Sequence, residues 1–185
     1  MDYKKQWNDW FDGGNTIWSE YGYEYHSYKV ASEIISKLKL PKGDIIQFGC
    51  GLGITIEKLC NQFGYDRVYG YDLFNPLNHP RIFSLDVYEE NTHHRPIAYC
   101  DIDIGSLDTD REARYLLFNW AWGNLVKGGY ILINNSVVDD FIDIQPKAEI
   151  KRLNEYDNTE LWKNPHQNRL NTKTLVKRIK NGQSH

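Results

Sequence analysis

Three glycines and one acid have the types and spacing of a nucleoside-binding site. Gly49, Gly51 and Gly53 alternate at the end of the short apolar run Asp-Ile-Ile-Gln-Phe. The residues from Ile54 onward have a helical pattern, and a strand, glycine turn and helix in this order bring backbone N–H groups close to a ligand. Asp72 ends the next apolar run, where an acid commonly binds a ribose. Together these features predict a nucleoside-containing cofactor.

The glycine spacing indicates which kind of nucleoside. A dinucleotide-binding turn has the pattern G-x-G-x-x-G, in which the third glycine lets the helix pack closely on the strand. Counted from Gly49 and Gly51, that third position is Ile54, whereas the chain has its glycine one residue earlier, at Gly53. The pattern G-x-G-x-G therefore argues against a dinucleotide, and a tight turn without any ligand is the alternative.

The G-x-G-x-G turn followed by a strand-ending acid resembles the first two motifs of the class I S-adenosylmethionine-dependent methyltransferases. The resemblance implies an α/β fold with a doubly wound, mostly parallel Rossmann-like sheet and a C-terminal antiparallel strand pair. It implies transfer of a methyl group from S-adenosylmethionine to a hydroxyl or amine of a small molecule. It assigns cofactor binding to Gly49, Cys50, Gly51, Gly53, Asp72 and Asp86.

Asp101 and Asp103 are the candidates for acid–base chemistry. They follow the apolar run Ile-Ala-Tyr-Cys, and residues two apart on a strand point to the same side. Two carboxylates on one side repel each other unless a metal ion or a proton lies between them. We therefore expect Asp103 or Asp101 to act as a general base toward the methyl acceptor.

The Asp-x-Asp strand end is also similar to that of the macrocin-O-methyltransferase-like enzymes, which methylate sugar hydroxyls with the help of magnesium. This resemblance implies a Mg²⁺ site formed by Asp101, Asn134 and Asn135, and a sugar as acceptor. These enzymes have paired aspartates where this chain has the two asparagines, and neutral ligands bind Mg²⁺ more weakly than carboxylates. Asp139 and Asp140 would substitute only if their loop folds back.

Two further alternatives concern the base and the activity itself. His93 and His94 titrate near neutral pH, but they lie in a polar loop beside Pro96, where we expect a solvated position. The two asparagines and a short segment between Asp72 and Ile97 also fit a catalytically silent protein of the same fold that serves as a binding or assembly subunit.

The elements that must position these residues alternate between helix and strand, as in a doubly wound sheet. Apolar residues at helical spacing predict a helix over 24–38, ended by Pro41 and Gly43. A turn is expected at 127–129. The remaining predicted elements are strands at 44–48, 67–71, 81–87, 97–104, 130–133, 148–156 and 169–179, and helices at 54–63 and 109–125.

Composition predicts a single domain over residues 23–185, preceded by an aromatic arm or lid at 1–22. The chain has 185 residues, a net charge of -3 and 41% hydrophobic residues, which fits one compact domain and argues against a nucleic-acid partner. No run approaches the roughly 20 apolar residues of a membrane span. The three cysteines form no C-x-x-C pair, which favours a reducing, cytoplasmic setting. The oligomeric state cannot be predicted.

Overall fold

The strands and helices follow the alternation expected from the sequence. A computed structural model describes residues 33–51, 53–73, 75, 77–88, 93, 95–104, 111–134, 144, 147–153 and 173–180. The strands are β1 (Asp44–Phe48), β2 (Val68–Asp72), β3 (Ile82–Ser84), β4 (Ile97–Ile102), β5 (Leu125–Asn134), β6 (Ala148–Arg152) and β7 (Lys173–Arg178). The helices are α1 (Ile54–Phe63) and α2 (Arg111–Asn124).

All seven strands belong to one sheet, in the order β3-β2-β1-β4-β5-β7-β6. Strands β1 to β5 pair in parallel with one another, whereas β7 is antiparallel to both β5 and β6. The predicted fold class, including the C-terminal antiparallel strand pair, is therefore confirmed. The strand order reverses direction between β1 and β4, and in open α/β sheets ligands bind at the carboxyl ends of the strands at this point.

Helix α1 packs on one face of the sheet and helix α2 on the other. Ile56 and Leu59 of α1 pack with Ile45 on one face, and Leu117 of α2 packs with Ile46 on the other. Every residue of β1 is buried, as expected for a central strand covered on both faces. This packing fixes the end of β1, and with it the position of the glycine turn.

Several predicted boundaries need correction, the largest at β5. We predicted a turn at 127–129 and a strand only from Tyr130, but β5 begins at Leu125, directly after α2. The register against β4 is irregular here, and Gly128 has the left-handed φ of 79° that such an irregularity tolerates. The glycines that suggested a turn therefore lie inside the strand.

The other corrections are smaller. β2 lies one residue later than predicted, and β3, β4 and β6 are shorter than predicted. α2 and β7 each end one residue earlier than predicted, and their predicted starts, 109–110 and 169–172, lie outside the described residues. Within the helix predicted over 24–38, residues 33–36 are helical and 37–38 form a turn. The arm at 1–22 lies outside the described residues.

All three cysteines of the chain, Cys50, Cys60 and Cys100, are buried, and none of them forms a disulfide. Burial raises the pKa of Cys60 to about 11 and that of Cys100 well above its ordinary value. None of the described helices has the length and apolar character needed to cross a bilayer.

We expect a thiol-specific disulfide reagent at pH 8 to leave the native protein unlabelled, because a buried, protonated thiol is a poor nucleophile. In guanidinium chloride all three cysteines should react. The measurement is the absorbance of the released thiolate with and without denaturant. Rapid labelling of the native protein would contradict the burial of these side chains.

Candidate functional site

The glycine turn after β1 has a backbone that only glycine adopts readily. Gly49, Gly51 and Gly53 have φ angles of 79°, 53° and 86°, all left-handed. Gly53 is the N-cap of α1, and its N–H donates to the Cys50 carbonyl at 2.8 Å. The chain therefore changes direction sharply between β1 and α1, which places the start of the helix at the carboxyl edge of the sheet.

Gly49 is the point where the ends of three strands meet. Its N–H donates to the carbonyl of Tyr71 in β2 at 3.0 Å. A Cβ atom added to Gly49 would lie only 2.0 Å from the carbonyl oxygen of Asp103, which follows β4. The absence of a side chain at Gly49 therefore lets the segment that leaves β4 lie directly against the turn.

Cys50, another predicted cofactor residue, turns its side chain into the core. Its Sγ donates weakly to the carbonyls of Gln47 and Tyr71 at 3.4 and 3.5 Å. A Cβ atom on Gly70 would lie 2.7 Å from this sulfur. Only the backbone of Cys50 is thus available to a ligand at the glycine turn.

The acid that ends β2 is joined to the turn. The Oδ2 atom of Asp72 accepts a hydrogen bond from the Gly51 N–H at 2.9 Å. Asp86, after β3, lies at the same edge, because the adjacent Leu85 N–H donates to the Asp72 carbonyl at 2.9 Å. The Asp86 carboxylate itself accepts from the Tyr88 N–H at 3.0 Å. The structure thus brings the turn and both predicted acids together.

The two candidate acids at the end of β4 have different surroundings. Asp101 is 1% exposed and lies within β4, whereas Asp103 follows the strand and is partly buried. The backbone N–H of Asp103 donates to the carbonyl of Phe48 at 3.0 Å. The Asp103 backbone thus contacts the end of β1 at its N–H, through Phe48, and the glycine turn at its carbonyl, through Gly49. Of the two acids, Asp103 is the more accessible.

The predicted metal ligands are only partly within the described residues. Nδ2 of Asn134 donates to Oδ1 of Asp101 at 3.4 Å, so the amide presents a hydrogen, not an oxygen, to the carboxylate. Asn135 lies outside the described residues, as do Asp139 and Asp140. Among the residues that are described, no group of three or more His, Cys, Asp or Glu side chains is arranged to hold a metal ion. Asp101 and Asn134 thus bond each other, and a magnesium site that also includes Asn135 stays a prediction.

Sequence reasoning missed several buried polar atoms in β1, α1 and β4. Gln47 pairs with Asp101 across β1 and β4, and its side chain is 2% exposed. Gln47 Oε1, the Thr55 hydroxyl and the Tyr99 hydroxyl have no hydrogen-bond partner within the described part of the chain. Each lies in an apolar-looking stretch, so no local pattern marks it.

His93 contradicts the expectation of a solvated loop. It is 7% exposed, its Nδ1 is 3.0 Å from the Tyr71 hydroxyl, and its Nε2 is 3.3 Å from a carboxylate oxygen of Asp44. Asp44 begins β1, whereas the glycine turn follows its end. His93 thus belongs to a buried polar cluster near the amino end of β1 and is not placed to act as a base at the turn. His94 lies outside the described residues.

Comparison with known proteins adds information at the level of structure. Neither a protein-family model nor a curated protein matches the sequence. A 1,6-didemethyltoxoflavin-N1-methyltransferase of Burkholderia thailandensis, bound to 1,6-didemethyltoxoflavin and S-adenosylhomocysteine, superposes with a TM-score of 0.61 and 10% identity over 96% of this chain and 88% of its own. The chain has the Rossmann-like methyltransferase fold.

Two more solved structures show the range of proteins with this methyltransferase fold. An S-adenosylmethionine-dependent methyltransferase from Clostridium acetobutylicum matches with a TM-score of 0.55 and 13% identity, covering 97% of this chain and 100% of its own. The 23S rRNA methyltransferase ErmE matches with a TM-score of 0.53 and 14% identity, covering 85% and 70%. At such identities the likeness concerns the fold, and function must be argued from the site.

Proposed function

We propose that this protein is an S-adenosylmethionine-dependent methyltransferase that acts on a hydroxyl or amine of a small molecule. The observation that carries the proposal is the hydrogen bond from the Gly51 N–H to Asp72, which joins the acid proposed to bind the ribose to the glycine turn. The Asp103 carbonyl lies where a side chain at Gly49 would be, so the backbone of the candidate base lies against the same turn.

The residues fit the cofactor in two respects. The left-handed turn brings backbone to the edge of the sheet without side chains at 49, 51 and 53, and Asp72 is a hydrogen-bond acceptor of the kind that binds ribose hydroxyls. When bound, S-adenosylmethionine supplies a methyl group on a positively charged sulfur. The turn and Asp72 would hold and orient it, while the surrounding protein excludes water.

Asp103 is proposed to remove the proton of the acceptor. A neutral hydroxyl is a weak nucleophile, and its proton must leave as the oxygen–methyl bond forms. The Asp103 carboxylate would take that proton, and the hydrogen bond from the Asp103 N–H to the Phe48 carbonyl holds this residue beside the turn. An amine acceptor needs less assistance, because its lone pair is available without a base.

The acceptor is proposed to be a small molecule on two grounds. One protein of the same fold has 1,6-didemethyltoxoflavin bound, and the net charge of -3 gives no attraction to a polyanion. ErmE, named for 23S rRNA, shows that the fold itself excludes neither class. The macrocin-O-methyltransferase-like resemblance, and with it a sugar acceptor, stays a prediction.

Calorimetric titration of the purified protein with S-adenosylmethionine, S-adenosylhomocysteine and a nicotinamide dinucleotide tests the cofactor assignment. We expect binding of the first two only. Binding of the dinucleotide alone would overturn the proposal. The protein could also bind S-adenosylmethionine but form no S-adenosylhomocysteine when varied hydroxyl and amine acceptors are added. That result would favour the alternative of a catalytically silent subunit, which the hydrogen bond between Asn134 and Asp101 supports.

Asp103→Asn should lower kcat for a hydroxyl acceptor by about 100-fold or more, because general-base catalysis contributes about 10²–10⁴. S-adenosylhomocysteine formation measures the rate, and calorimetry should show cofactor affinity within about twofold of wild type, since the backbone of Asp103 is unchanged. Asp66→Asn, which removes the same charge from an exposed position, is the matched control. Unchanged turnover in Asp103→Asn would remove this residue from the mechanism.

A further inference from the structure

The connection between β2 and β3, residues 73–81, is short for two parallel strands. Parallel neighbours are generally joined by a crossover of a dozen or more residues, usually including a helix. Here β2 ends at Asp72 and β3 begins at Ile82. None of the described residues of the connection, 73, 75 and 77–81, is helical. Its conformation must therefore be held by its own hydrogen bonds and by its neighbours.

Asn75 provides most of the internal hydrogen bonds of this connection. Its Oδ1 accepts from the His79 N–H at 2.8 Å, and its Nδ2 donates to the carbonyls of His79 and Ile82, both at 3.0 Å. The Ile82 N–H donates back to the His79 carbonyl at 3.1 Å. The backbone of His79 is therefore fixed relative to the start of β3.

The ring of His79 has a defined tautomer. The Arg81 backbone N–H lies 3.1 Å from Nδ1 of His79, and since an N–H can only donate, Nδ1 must accept. The proton of the neutral ring is then on Nε2, which lies 2.9 Å from Oε2 of Glu57 in α1. His79 thus links the connection to the first helix with a directed hydrogen bond.

Glu57 is suited to receive this bond. The hydrogen bonds from His79 and then Tyr65 lower the pKa of Glu57 below its ordinary value, so it is a charged acceptor at neutral pH. It lies in the first turn of α1, and its backbone N–H donates to the Gly53 carbonyl at 2.9 Å. The bonded chain thus runs from His79 through Glu57 to the last residue of the glycine turn.

The same connection forms a wall beside the glycine turn. A Cβ atom added to Gly53 would lie 2.8 Å from Cδ1 of Ile82 and 3.7 Å from the Cβ and Cδ2 atoms of His79. His79 is 13% exposed, so its ring fills space next to the turn. A displacement of this ring would leave one side of Gly53 unsupported.

We propose that His79 is a positioning residue for cofactor binding. Its Nε2–H bond to Glu57 holds the connection and α1 together, so that the glycine turn keeps the shape that binds the cofactor. The proposal rests on the proposed function, because the turn is taken as the cofactor site. His79 itself need not touch the cofactor.

Two variants of His79 separate its two ring contacts. In His79→Asn the side-chain oxygen can still accept from the Arg81 N–H, but the bond to Glu57 is lost. In His79→Gln the amide N–H can still donate to Glu57. We expect His79→Asn to weaken S-adenosylhomocysteine binding in calorimetry by about five- to tenfold, as for loss of one hydrogen bond to a charged group. His79→Gln should restore most of the affinity.

Variants of the partner complete the test. Glu57→Ala should weaken binding as His79→Asn does, and the double variant should be no weaker than either alone. Tyr65→Phe removes a different hydrogen bond from the same carboxylate, at 2.8 Å, and should leave the affinity within about twofold. Equal losses in Tyr65→Phe and His79→Asn, or additive losses in the double variant, would overturn the proposal.

Amide hydrogen exchange in the ligand-free protein separates this proposal from the proposed function. We expect faster exchange over residues 49–57 in His79→Asn and Glu57→Ala, and wild-type exchange in His79→Gln and Tyr65→Phe. If wild type fails to bind S-adenosylhomocysteine while this exchange pattern appears, the proposed function is wrong and the positioning role stands. If exchange and binding are both unaltered in His79→Asn, the positioning role is wrong.

Discussion

Gly49→Ala is expected to destabilise the protein by about 2 to 5 kcal/mol, from about 1–2 for a left-handed alanine and about 1–3 for overpacking. The added Cβ would lie 2.0 Å from the Asp103 carbonyl oxygen. That oxygen has little freedom to move, because the N–H of the same residue donates to Phe48 at 3.0 Å. Urea unfolding monitored by circular dichroism measures the loss.

Two other glycines provide matched controls for this substitution. Gly128 has the same φ of 79° as Gly49, but a Cβ atom there would meet nothing within 4 Å. Gly128→Ala should therefore show the backbone cost alone, about 1–2 kcal/mol. Gly123 lies in α2 with open space around it, so Gly123→Ala should stabilise by about 0.5–1 kcal/mol. Equal losses at 49 and 128 would show that the contact with Asp103 does not govern the stability.

This comparison matters because the glycine pattern has two explanations. A left-handed turn that approaches a cofactor needs glycine, but so does close packing between the ends of β1 and β4. At Gly49 and Gly53 the side-chain direction is filled by protein, by Asp103 and by Ile82. Packing alone therefore accounts for glycine at these two positions, and the cofactor assignment depends more on the bond between Gly51 and Asp72.

The sequence predicted the central elements well because their signals are local. β1 and α1 have the predicted bounds, 44–48 and 54–63, since a continuous apolar run and a helical pattern meet at three glycines. The antiparallel pair β6 and β7 was recognised from alternation, which records one buried and one exposed face. Signals of this kind need no knowledge of the rest of the chain.

The predictions that failed depend on contacts distant in sequence. His93 stands in a polar stretch, and its burial is explained by Asp44 and Tyr71, which the fold brings within 3.3 and 3.0 Å. Gly128 and Gly129 have the composition of a turn, but they lie within β5, between Leu125, which pairs with Ile97, and Tyr130, which pairs with Tyr99. The bond between His79 and Glu57 has no sequence pattern at all.

The candidate site divides in the same way. Its location followed from the sequence, because the acids at 72, 101 and 103 each end an apolar run and such runs end at one edge of a parallel sheet. The difference between Asp101 and Asp103 did not follow, because it depends on β4 ending at Ile102. Because the strand ends there, Asp101 is buried within it, whereas Asp103 follows it and is partly exposed.

Asp72→Ala is expected to reduce affinity for S-adenosylhomocysteine by about 50-fold or more. A carboxylate that accepts from ribose hydroxyls contributes about 1.5–3 kcal/mol per hydrogen bond. The substitution also removes the acceptor for the Gly51 N–H, now 2.9 Å from Oδ2. Calorimetric titration measures the affinity, and thermal unfolding should show that the variant remains folded, since Asp72 is only partly buried.

Two variants distinguish direct ribose binding from support of the turn. In Asp72→Asn the remaining oxygen can still accept from Gly51, so the turn is retained while the charge and one acceptor are lost. Asp86→Ala removes an acid from the same edge of the sheet. Within the described residues, the Asp86 carboxylate accepts a hydrogen bond from the Tyr88 N–H of its own loop. If Asp72 binds ribose, Asp72→Asn should lose most of the affinity and Asp86→Ala much less. Wild-type affinity in Asp72→Ala would leave the nucleoside assignment without its chemical basis.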